Sequence, residues 1–308
     1  MPKYVSTKEE KEYLKTYSIA NFERPSVTAD IAVFAVRDET EQNLTRKGKV
    51  NYRKDPVREL QILLVKRATH PFQNCWALPG GFSVKGESCD ETALRELAEE
   101  TGVKDAYLRP FGVFSEPGRD PRGWIISHGY LALIDGSKYR LHAGTDAWEA
   151  AWFRIGVTSE EVSKKSDKKG TVIEIRHDLT LYQRERDLEM KVSVLETKRF
   201  SRLHGYHEYK ILDAGELAFD HAKIILNAFF SLRSEAEGTG LIVFDLMPEK
   251  FTLNRLQKAF ELVLGHELLT ANFRRKIAPL VVETEEETVG VGHRPAKLFM
   301  RNQEEFYM

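Results

Sequence analysis

One segment constrains the fold and chemistry of this chain more than any other: GGFSVKGESCDETALRELAEETGV, residues 80–103. Ser88 is a favoured helix N-cap residue, and Glu91 follows it at the spacing of a capping box. Gly102 suits the left-handed conformation that commonly ends a helix. The segment therefore predicts a helix over residues 89–101, about three turns long.

This helix has an acidic side and an apolar side. Glu96, Glu99 and Glu100 share one face, at spacings that stack side chains above one another. The opposite face is expected to carry the apolar residues Ala93, Leu94, Leu97 and Ala98. Three like charges on one face repel each other, and a cation would neutralise them. Because the ligands are all oxygen atoms, Mg²⁺ or Mn²⁺ is expected rather than zinc.

The run from Gly81 through Glu87 to RELAEETGV, which begins at Arg95, resembles the signature of the Nudix hydrolases at every position. The resemblance covers roughly residues 25–158. An acidic, solvated face on an ordinary amphipathic helix is the alternative, and it would account for two adjacent glutamates alone. It does not account for the whole pattern.

The resemblance implies hydrolysis of a diphosphate linked to another group, with water as nucleophile and Mg²⁺ or Mn²⁺ as cofactor. It makes Glu96, Glu99 and Glu100 metal ligands, together with the carbonyl of Gly81. Arg95 would orient the carboxylates through charge-assisted hydrogen bonds, and Glu87 would lie at the rim of the metal cluster. The catalytic candidates in this helix are thus Arg95, Glu99 and Glu100.

The general base is expected outside the helix, at Glu149 or Glu116. Glu149 precedes the sequence AAWF, which resembles a segment near the active site of the family. A solvated loop carboxylate is an equally good interpretation of Glu149.

Two arginines provide the clue to the substrate. Arg119 and Arg122 flank a turn, and two guanidinium groups so placed can clamp a pyrophosphate bidentately. A plain charged turn is the alternative. The loop RDPRG resembles the one in Nudix proteins that handle ADP-ribose, which favours ADP-ribose or a related nucleoside diphosphate derivative as the small-molecule partner.

The C-terminal third is predicted to be a winged helix. A wide apolar band over residues 222–232 indicates a helix with several packing partners. A short strand and turn are expected in LIVFDLMPEK, after which Thr252 and Thr270 each cap a helix. Two short strands, at Val281–Val282 and Leu298–Met300, form the final ribbon.

Three segments of this part are FTL at 251–253, NFRRK at 272–276 and GHRPAKL at 292–298. They resemble the winged helix of the Nudix-related transcriptional regulators of NAD metabolism, some relatives of which control sugar utilisation instead. Phe273 and Ile277 are expected to be buried, which turns the basic face of their helix outward. Double-stranded DNA is the implied partner, bound by a homodimer on a palindrome. The candidate DNA contacts are Asn272, Arg274, Arg275, Lys276, Arg294 and Lys297. Glu283 and the three glutamates at 285–287 argue against insertion of the wing, and a winged helix used only for dimerisation is the alternative.

The 308 residues suffice for two domains in an α+β chain, with a net charge of −1 at pH 7. We expect a Nudix α/β/α sandwich with a mixed sheet over 1–212, with its core at about 25–158. A β-rich insertion, which starts with an exposed loop, is expected at about 159–208, and the winged helix over 213–308. Two cysteines favour a reducing compartment. No apolar run approaches the roughly 20 residues of a membrane span, so we expect a cytoplasmic protein without a membrane partner.

Two hypotheses of function follow. In the first, the chain is a Mg²⁺-dependent Nudix hydrolase of ADP-ribose or a relative, and it also binds DNA. In the second, it is a transcriptional repressor whose Nudix domain senses a metabolite without turnover. The intact acidic segment, which is often degraded in regulators of this group, favours turnover.

Overall fold

The computed structural model describes residues 6–38, 58–104, 106–136, 147–168, 170–201, 205–288 and 295–306. Five α-helices lie in these ranges: α1 (Lys8–Thr16), α2 (Cys89–Thr101), α3 (His221–Glu237), α4 (Leu253–Leu264) and α5 (Thr270–Ile277). None of the helices in these ranges is long and apolar enough to cross a membrane.

A ten-stranded mixed sheet forms the centre of the fold. Its strands are β1 (Ser26–Asp38), β2 (Arg58–Arg67), β3 (Trp76–Ala77), β4 (Gly80–Phe82), β5 (Tyr107–Phe114), β6 (Ile125–Asp135), β7 (Ala147–Asp167), β8 (Gly170–Gln183), β9 (Leu188–Phe200) and β10 (Gly205–Asp213). They lie in the order β10-β9-β8-β7-β2-β1-β6-β5, with β3 on β2 and β4 on β1. Strands β1 and β6 are parallel, from Ser26 opposite Ile125 to Val36 opposite Asp135.

Helix α2 begins and ends where the sequence predicts. The Ser88 hydroxyl accepts a hydrogen bond from the Glu91 amide at 3.2 Å, and the Glu91 carboxylate accepts one from the Ser88 amide at 2.7 Å. Gly102 ends the helix at φ 76°. Ala93 and Leu97 pack on one face of the sheet, as expected. Leu94 was expected on that face, but it is 45% exposed.

Thr92 takes the place expected for Leu94 on the buried side of α2. It lies four residues before Glu96 and therefore shares its side of the helix, whereas Leu94 is rotated from Thr92 by about half a turn. The Thr92 hydroxyl donates to the Ser88 carbonyl at 3.0 Å, which satisfies this polar group inside the core.

Helix α3 covers the opposite face of the sheet. Ten of its residues are buried, among them Phe229 and Leu232, and they share one core with Phe34, Ile62 and Phe153 of the strands. The wide apolar band thus packs against more than one element, as predicted. The sheet thus has α2 on one face and α3 on the other, in an α/β/α arrangement. The sandwich was predicted over residues 1–212, whereas α3 lies in the range 213–308 that was assigned to the winged helix.

The exposed loop expected at the start of residues 159–208 is not found. Strand β7 continues to Asp167, and residues from Ser159 to Asp167 pair with β8. Most side chains in this stretch are polar and exposed, so hydrophobic alternation does not reveal a strand that backbone pairing forms. Strands β8, β9 and β10 extend the central sheet and do not form a separate small one.

The C-terminal region has the predicted helices and ribbon, with two local differences. Thr252 caps α4 and accepts from the Arg255 amide at 3.1 Å, whereas Thr270 is the first residue of α5 and not its cap. Residues 241–246 form a 3₁₀ helix, not a strand, because the turn at Gly240 (φ 75°) leads into side chains buried on several sides. The ribbon consists of β11 (Val281–Glu287) and β12 (Lys297–Arg301).

Candidate ligand cleft and nucleic-acid interface

A cleft of about 560 Å³ opens beside α2, within the usual volume range of small-molecule sites. Strand β4 and α2 form one wall. The loop between β5 and β6, together with the segment that leads into α3, forms the other. Its charged and aromatic lining includes Asp30, Arg67, Glu96, Glu100, Arg119, Arg122 and Phe219.

Arg95 organises the carboxylates at the α2 side of the cleft. Its guanidinium donates twice to Glu87, at 2.8 and 3.1 Å, and to Glu96 at 2.6 Å. A longer bond of 3.3 Å reaches Glu99. The hydrogen bonds from Arg95 lower the pKa of Glu87, and the carboxylates of Glu87 and Glu96 raise the pKa of Arg95. One fixed cation therefore holds three carboxylates in place.

Because Gly80 and Gly81 have no side chains, the carboxylates of Glu96 and Glu100 can approach the backbone of β4. A Cβ atom at Gly81 would lie 2.3 Å from Oε1 of Glu96, so this carboxylate lies directly against the Gly81 backbone. Burial raises the pKa of Glu96 despite its bond to Arg95. Oε2 of Glu100 accepts from the Gly80 amide at 3.0 Å.

The donor chemistry at α2 fits a hard divalent cation, because the available ligands are carboxylate and carbonyl oxygens. Glu96 and Glu100 face the cleft, whereas the Glu99 side chain is 60% exposed and does not line it. Within the described ranges, no three acidic, histidine or cysteine side chains converge on one point as a metal site would require. Glu96 and Glu99 instead share Arg95.

Both predicted substrate arginines line the cleft, and each has a carboxylate partner. Arg119 donates to Asp220 from Nε at 2.9 Å and from Nη2 at 2.6 Å, and its side chain is only 5% exposed. Arg122 donates to Asp120 from Nε at 3.0 Å and from Nη2 at 2.7 Å. Its guanidinium carbon also lies 4.9 Å from the ring centre of Phe82.

The candidates for a general base lie outside the cleft. Glu149 forms an ion pair with Arg186. It has the same strand parity as Ala151 and Phe153, which belong to the core on the face opposite α2. Glu116 forms an ion pair of 2.8 Å with Lys223. Although burial acts to raise the pKa of Glu116, the Lys223 hydrogen bond and charge lower it overall.

Helix α5 presents a basic face on the C-terminal unit. Phe273 and Ile277 are buried, as predicted, which leaves the side chains of Asn272, Arg274, Arg275 and Lys276 exposed. On the wing, Lys297 pairs with Glu283, so the acidic strand β11 partly neutralises it. Arg294 lies outside the described residues.

Residues 53–171 match the family described as NUDIX domain, and residues 243–300 match the NrtR DNA-binding winged helix domain. The chain therefore contains a Nudix domain. Its C-terminal region is a winged helix of the NrtR type, so the predicted recognition and fold class are confirmed.

Similar proteins include regulators and enzymes. The chain is 28% identical to the ADPR responsive transcriptional repressor NtrR of Acinetobacter baylyi, over 96% of this chain and 89% of the repressor. It is 45% identical to the ADP-ribose pyrophosphatase of Methanocaldococcus jannaschii, over 31% of this chain and 55% of that enzyme. The chain thus spans about half the length of the enzyme.

Solved structures support the fold. A MutT/nudix family protein from Enterococcus faecalis superposes with a TM-score of 0.63 at 27% identity, over 97% of this chain and 100% of that one. The NrtR of Shewanella oneidensis superposes with a TM-score of 0.55 at 24% identity, over 90% and 94%.

Several residues of the Nudix cleft were not among the predicted site residues. Asp30 lies on β1, and its Oδ1 is 3.6 Å from His221 Nε2. Arg67 lies 4.8 Å from the ring centre of Phe219. A signal existed for Asp30, because it is the only acid within the apolar run TADIAVFAV. The others become neighbours only through long-range packing.

Proposed function

We propose that this protein is a DNA-binding regulator that responds to ADP-ribose, or a related nucleoside diphosphate derivative, in its Nudix cleft. The observation that carries this proposal is the composition of the cleft. One wall is the Nudix helix α2, and the other includes Phe219 and His221 at the start of α3, which leads into the winged helix. The ligand cleft and the proposed DNA-binding region are therefore connected through α3.

The charges in the cleft suit an anionic ligand that also carries a planar group. Arg67, Arg119 and Arg122 supply guanidinium groups, which bind phosphates bidentately. Phe82 and Phe219 add aromatic rings on the same lining, and such rings stack on nucleobases. The similarity to an ADPR responsive repressor supports ADP-ribose as the first ligand to test.

The proposed DNA contacts are those of α5, with a homodimer placing two such helices on the half-sites of a palindrome. Asn272, Arg274, Arg275 and Lys276 are exposed side by side on this helix. Arg294 and Lys297 would contact DNA from the wing, although the ion pair of Lys297 with Glu283 must then be broken.

Hydrolysis of the bound diphosphate is the second candidate function, favoured by the complete acidic set on α2. Glu96, Glu99 and Glu100, with the Gly81 carbonyl, would hold Mg²⁺ or Mn²⁺. When bound, the ion would neutralise phosphate charge and acidify the attacking water. Arg95 would keep the carboxylates oriented during the reaction. Water would attack one phosphorus atom, and the bridging P–O bond would break to give two monophosphates.

Fluorescence anisotropy with labelled DNA from upstream of the protein's own gene tests the regulator. We expect salt-dependent binding that changes when ADP-ribose is added, and a salt slope smaller by about two in Arg274→Ala/Arg275→Ala. The matched control is Lys8→Ala/Lys11→Ala, which removes two exposed cations from α1. Equal affinity and slope in wild type and the α5 variant would exclude this interface.

Chromatography that separates ADP-ribose from its two monophosphate products tests hydrolysis. We expect Mg²⁺-dependent turnover that falls by more than about 100-fold in Glu99→Gln, since loss of even an indirect metal contact costs 10–100-fold. Glu91→Gln is the control, because Glu91 lies on the same helix but outside the cleft. A wild type that lacks turnover but responds to ADP-ribose on DNA would leave only the regulator.

A further inference from the structure

We propose that the ion pair between Arg119 and Asp220 is the element through which a bound diphosphate alters α3, and through α3 the winged helix. The inference rests on the proposed function and names the residues that regulate it. Arg119 belongs to the loop between β5 and β6 on the Nudix side, and Asp220 directly precedes α3. The pair therefore joins the ligand cleft to the N-cap residue of the helix behind it.

This pair is strong and lies where a ligand can reach it. Both side chains are at least nine-tenths buried, and two hydrogen bonds of 2.6 and 2.9 Å join them. Buried, bidentate, charge-assisted bonds hold their geometry well. Arg119 also lines the cleft, so its guanidinium can serve either Asp220 or a phosphate group.

The charges around Arg119 make it sensitive to a further anion. Asp30 lies 3.7 Å from its guanidinium, so this one cation already faces two carboxylates. Burial lowers the pKa of the neighbouring His221, which therefore adds no positive charge at neutral pH. A diphosphate that binds Arg119 adds negative charge to this group, and the carboxylate of Asp220 is repelled.

The segment before α3 is attached to the Nudix sheet over a short length. The Trp76 amide donates to the Glu216 carbonyl at 2.9 Å, and the Ala218 amide donates to the Trp76 carbonyl at 2.8 Å. The Leu78 amide donates to Nδ1 of His221, also at 2.8 Å. Pro79 then leads into β4 at Gly80, so the segment is bonded to β3 and to the connection that leads into the strand beside the α2 carboxylates.

Phe219, at the centre of this segment, has a conformation that needs support. Its φ is 52°, in the left-handed region that a bulky residue rarely adopts. Arg67 and Arg122 flank its ring, with guanidinium carbons 4.8 and 5.1 Å from the ring centre. Both arginines line the cleft, so a ligand that recruits them removes contacts that hold Phe219 in place.

A movement of Asp220 would pass directly into the helices. The Asp220 carbonyl accepts from the amides of Lys223 and Ile224, at 2.8 and 3.3 Å, which makes it part of the first turn of α3. Further along, Nε of Arg233 donates to the Val263 carbonyl of α4 at 3.2 Å. Helix α4 packs on α5, which carries the basic face.

Asp220→Asn tests the inference, because it keeps the side-chain shape and removes the charge that holds Arg119. Calorimetry with ADP-ribose should show binding about 10-fold tighter than in wild type, since Arg119 no longer leaves a carboxylate. The ratio of DNA affinities without and with saturating ADP-ribose should fall to within about twofold of one, because the pair that couples the sites is already broken.

Arg109→Ala is the matched control. Arg109 lies on β5 and joins α3 by an ion pair with Glu235 and a 3.3 Å bond to Ser231, away from the cleft. It breaks a contact of the same kind, yet should leave ADP-ribose affinity and the DNA-affinity ratio at wild-type values. A folded Asp220→Asn protein with wild-type ligand affinity and an unchanged DNA-affinity ratio overturns the inference. An Arg109→Ala variant whose DNA-affinity ratio falls to about one overturns it as well.

Hydrogen exchange on the wild-type protein provides a second test that does not require Asp220→Asn to fold. Saturating ADP-ribose should speed exchange in peptides that contain the amides of Lys223 and Ile224, and unchanged exchange there contradicts the inference. Failure of this inference can be distinguished from failure of the proposed function. If ADP-ribose does not change DNA binding by the wild type, both proposals are wrong. If the response to ADP-ribose persists in Asp220→Asn, only the role of the ion pair is wrong.

Discussion

Alanine substitution at the two adjacent glycines of the cleft should distinguish an effect on the proposed metal site from an effect on the stability of the fold. At Gly81, an added Cβ would come within 2.6 Å of all three carboxyl atoms of Glu96. Those atoms are the end of a flexible side chain, which can rotate away at a cost of about 0.5–1.5 kcal/mol. Gly81→Ala should therefore unfold at nearly the wild-type urea concentration, while its Glu96 carboxylate is displaced from the Gly81 backbone.

Gly80 offers no such escape. Its Cβ would lie 2.1 Å from the carbonyl oxygen of Ala29, and its φ of 156° is unfavourable for alanine. The neighbouring atom is backbone of the central strand β1, so either β1 or β4 must move. Overpacking and backbone strain each cost about 1–3 kcal/mol, and we expect Gly80→Ala to lose about 2–4 kcal/mol of unfolding free energy.

Urea denaturation and Mn²⁺ titration by calorimetry, both on the full chain, provide the two measurements. Gly81→Ala should bind Mn²⁺ about 10- to 100-fold more weakly, the usual effect of disturbing the support of a metal ligand. If it binds Mn²⁺ like wild type, Glu96 is not a metal ligand in the way proposed. If Gly80→Ala is as stable as wild type, β4 does not approach β1 as closely as the structure indicates.

Three further substitutions test the packing of the fold. Glu196→Gln removes a carboxylate with a pKa of about 2. Burial alone would raise this pKa, but the hydrogen bonds from His177 and Lys198 lower it by more. The carboxylate's contribution of about 3 kcal/mol is complete above pH 4.5 and is lost as pH falls towards 2, so urea denaturation should show the deficit at pH 7 and a shrinking one below pH 4. Thr252→Ala should cost about 1 kcal/mol by thermal denaturation, through loss of the α4 cap. Leu232→Ala should cost about 2–5 kcal/mol in urea denaturation, because this α3 side chain is fully buried.

Local signals explain the parts of the fold that the sequence predicts well. The caps at Ser88 and Gly102 place α2 correctly, because these residues satisfy backbone groups within four positions of themselves. The burial of Phe273 and Ile277 follows in the same way from a spacing of four. The extension of β7 to Asp167 was missed because its strand partners, not its own side chains, satisfy its backbone.

The cleft was harder to predict than the helix that borders it. Arg119 and Arg122 were expected to clamp a phosphate, but each already has a carboxylate partner. The partner of Arg119 could not be predicted from the neighbouring sequence. Asp220 lies 101 positions from Arg119 along the chain. Asp120 lies only two positions from Arg122, and this pairing could have been anticipated from the turn. Long-range packing thus decides which charged groups of a cleft are already engaged.

Regulation requires the diphosphate to stay bound and intact, whereas hydrolysis would consume it. In the proposed complex an intact diphosphate would span the α2 carboxylates and Arg119, whereas each monophosphate product would keep only part of those contacts and bind more weakly. With Mg²⁺ present, the effect of a limited dose of ADP-ribose on DNA affinity should therefore decay with time in wild type. It should persist in Glu99→Gln, which retains Arg119 and Asp220. Anisotropy recorded over hours, beside chromatography of ADP-ribose and its monophosphate products, follows both processes. A wild-type response that persists while ADP-ribose is consumed would show that the products occupy the cleft as effectively as the substrate, and the chain would then have no means of ending its own signal.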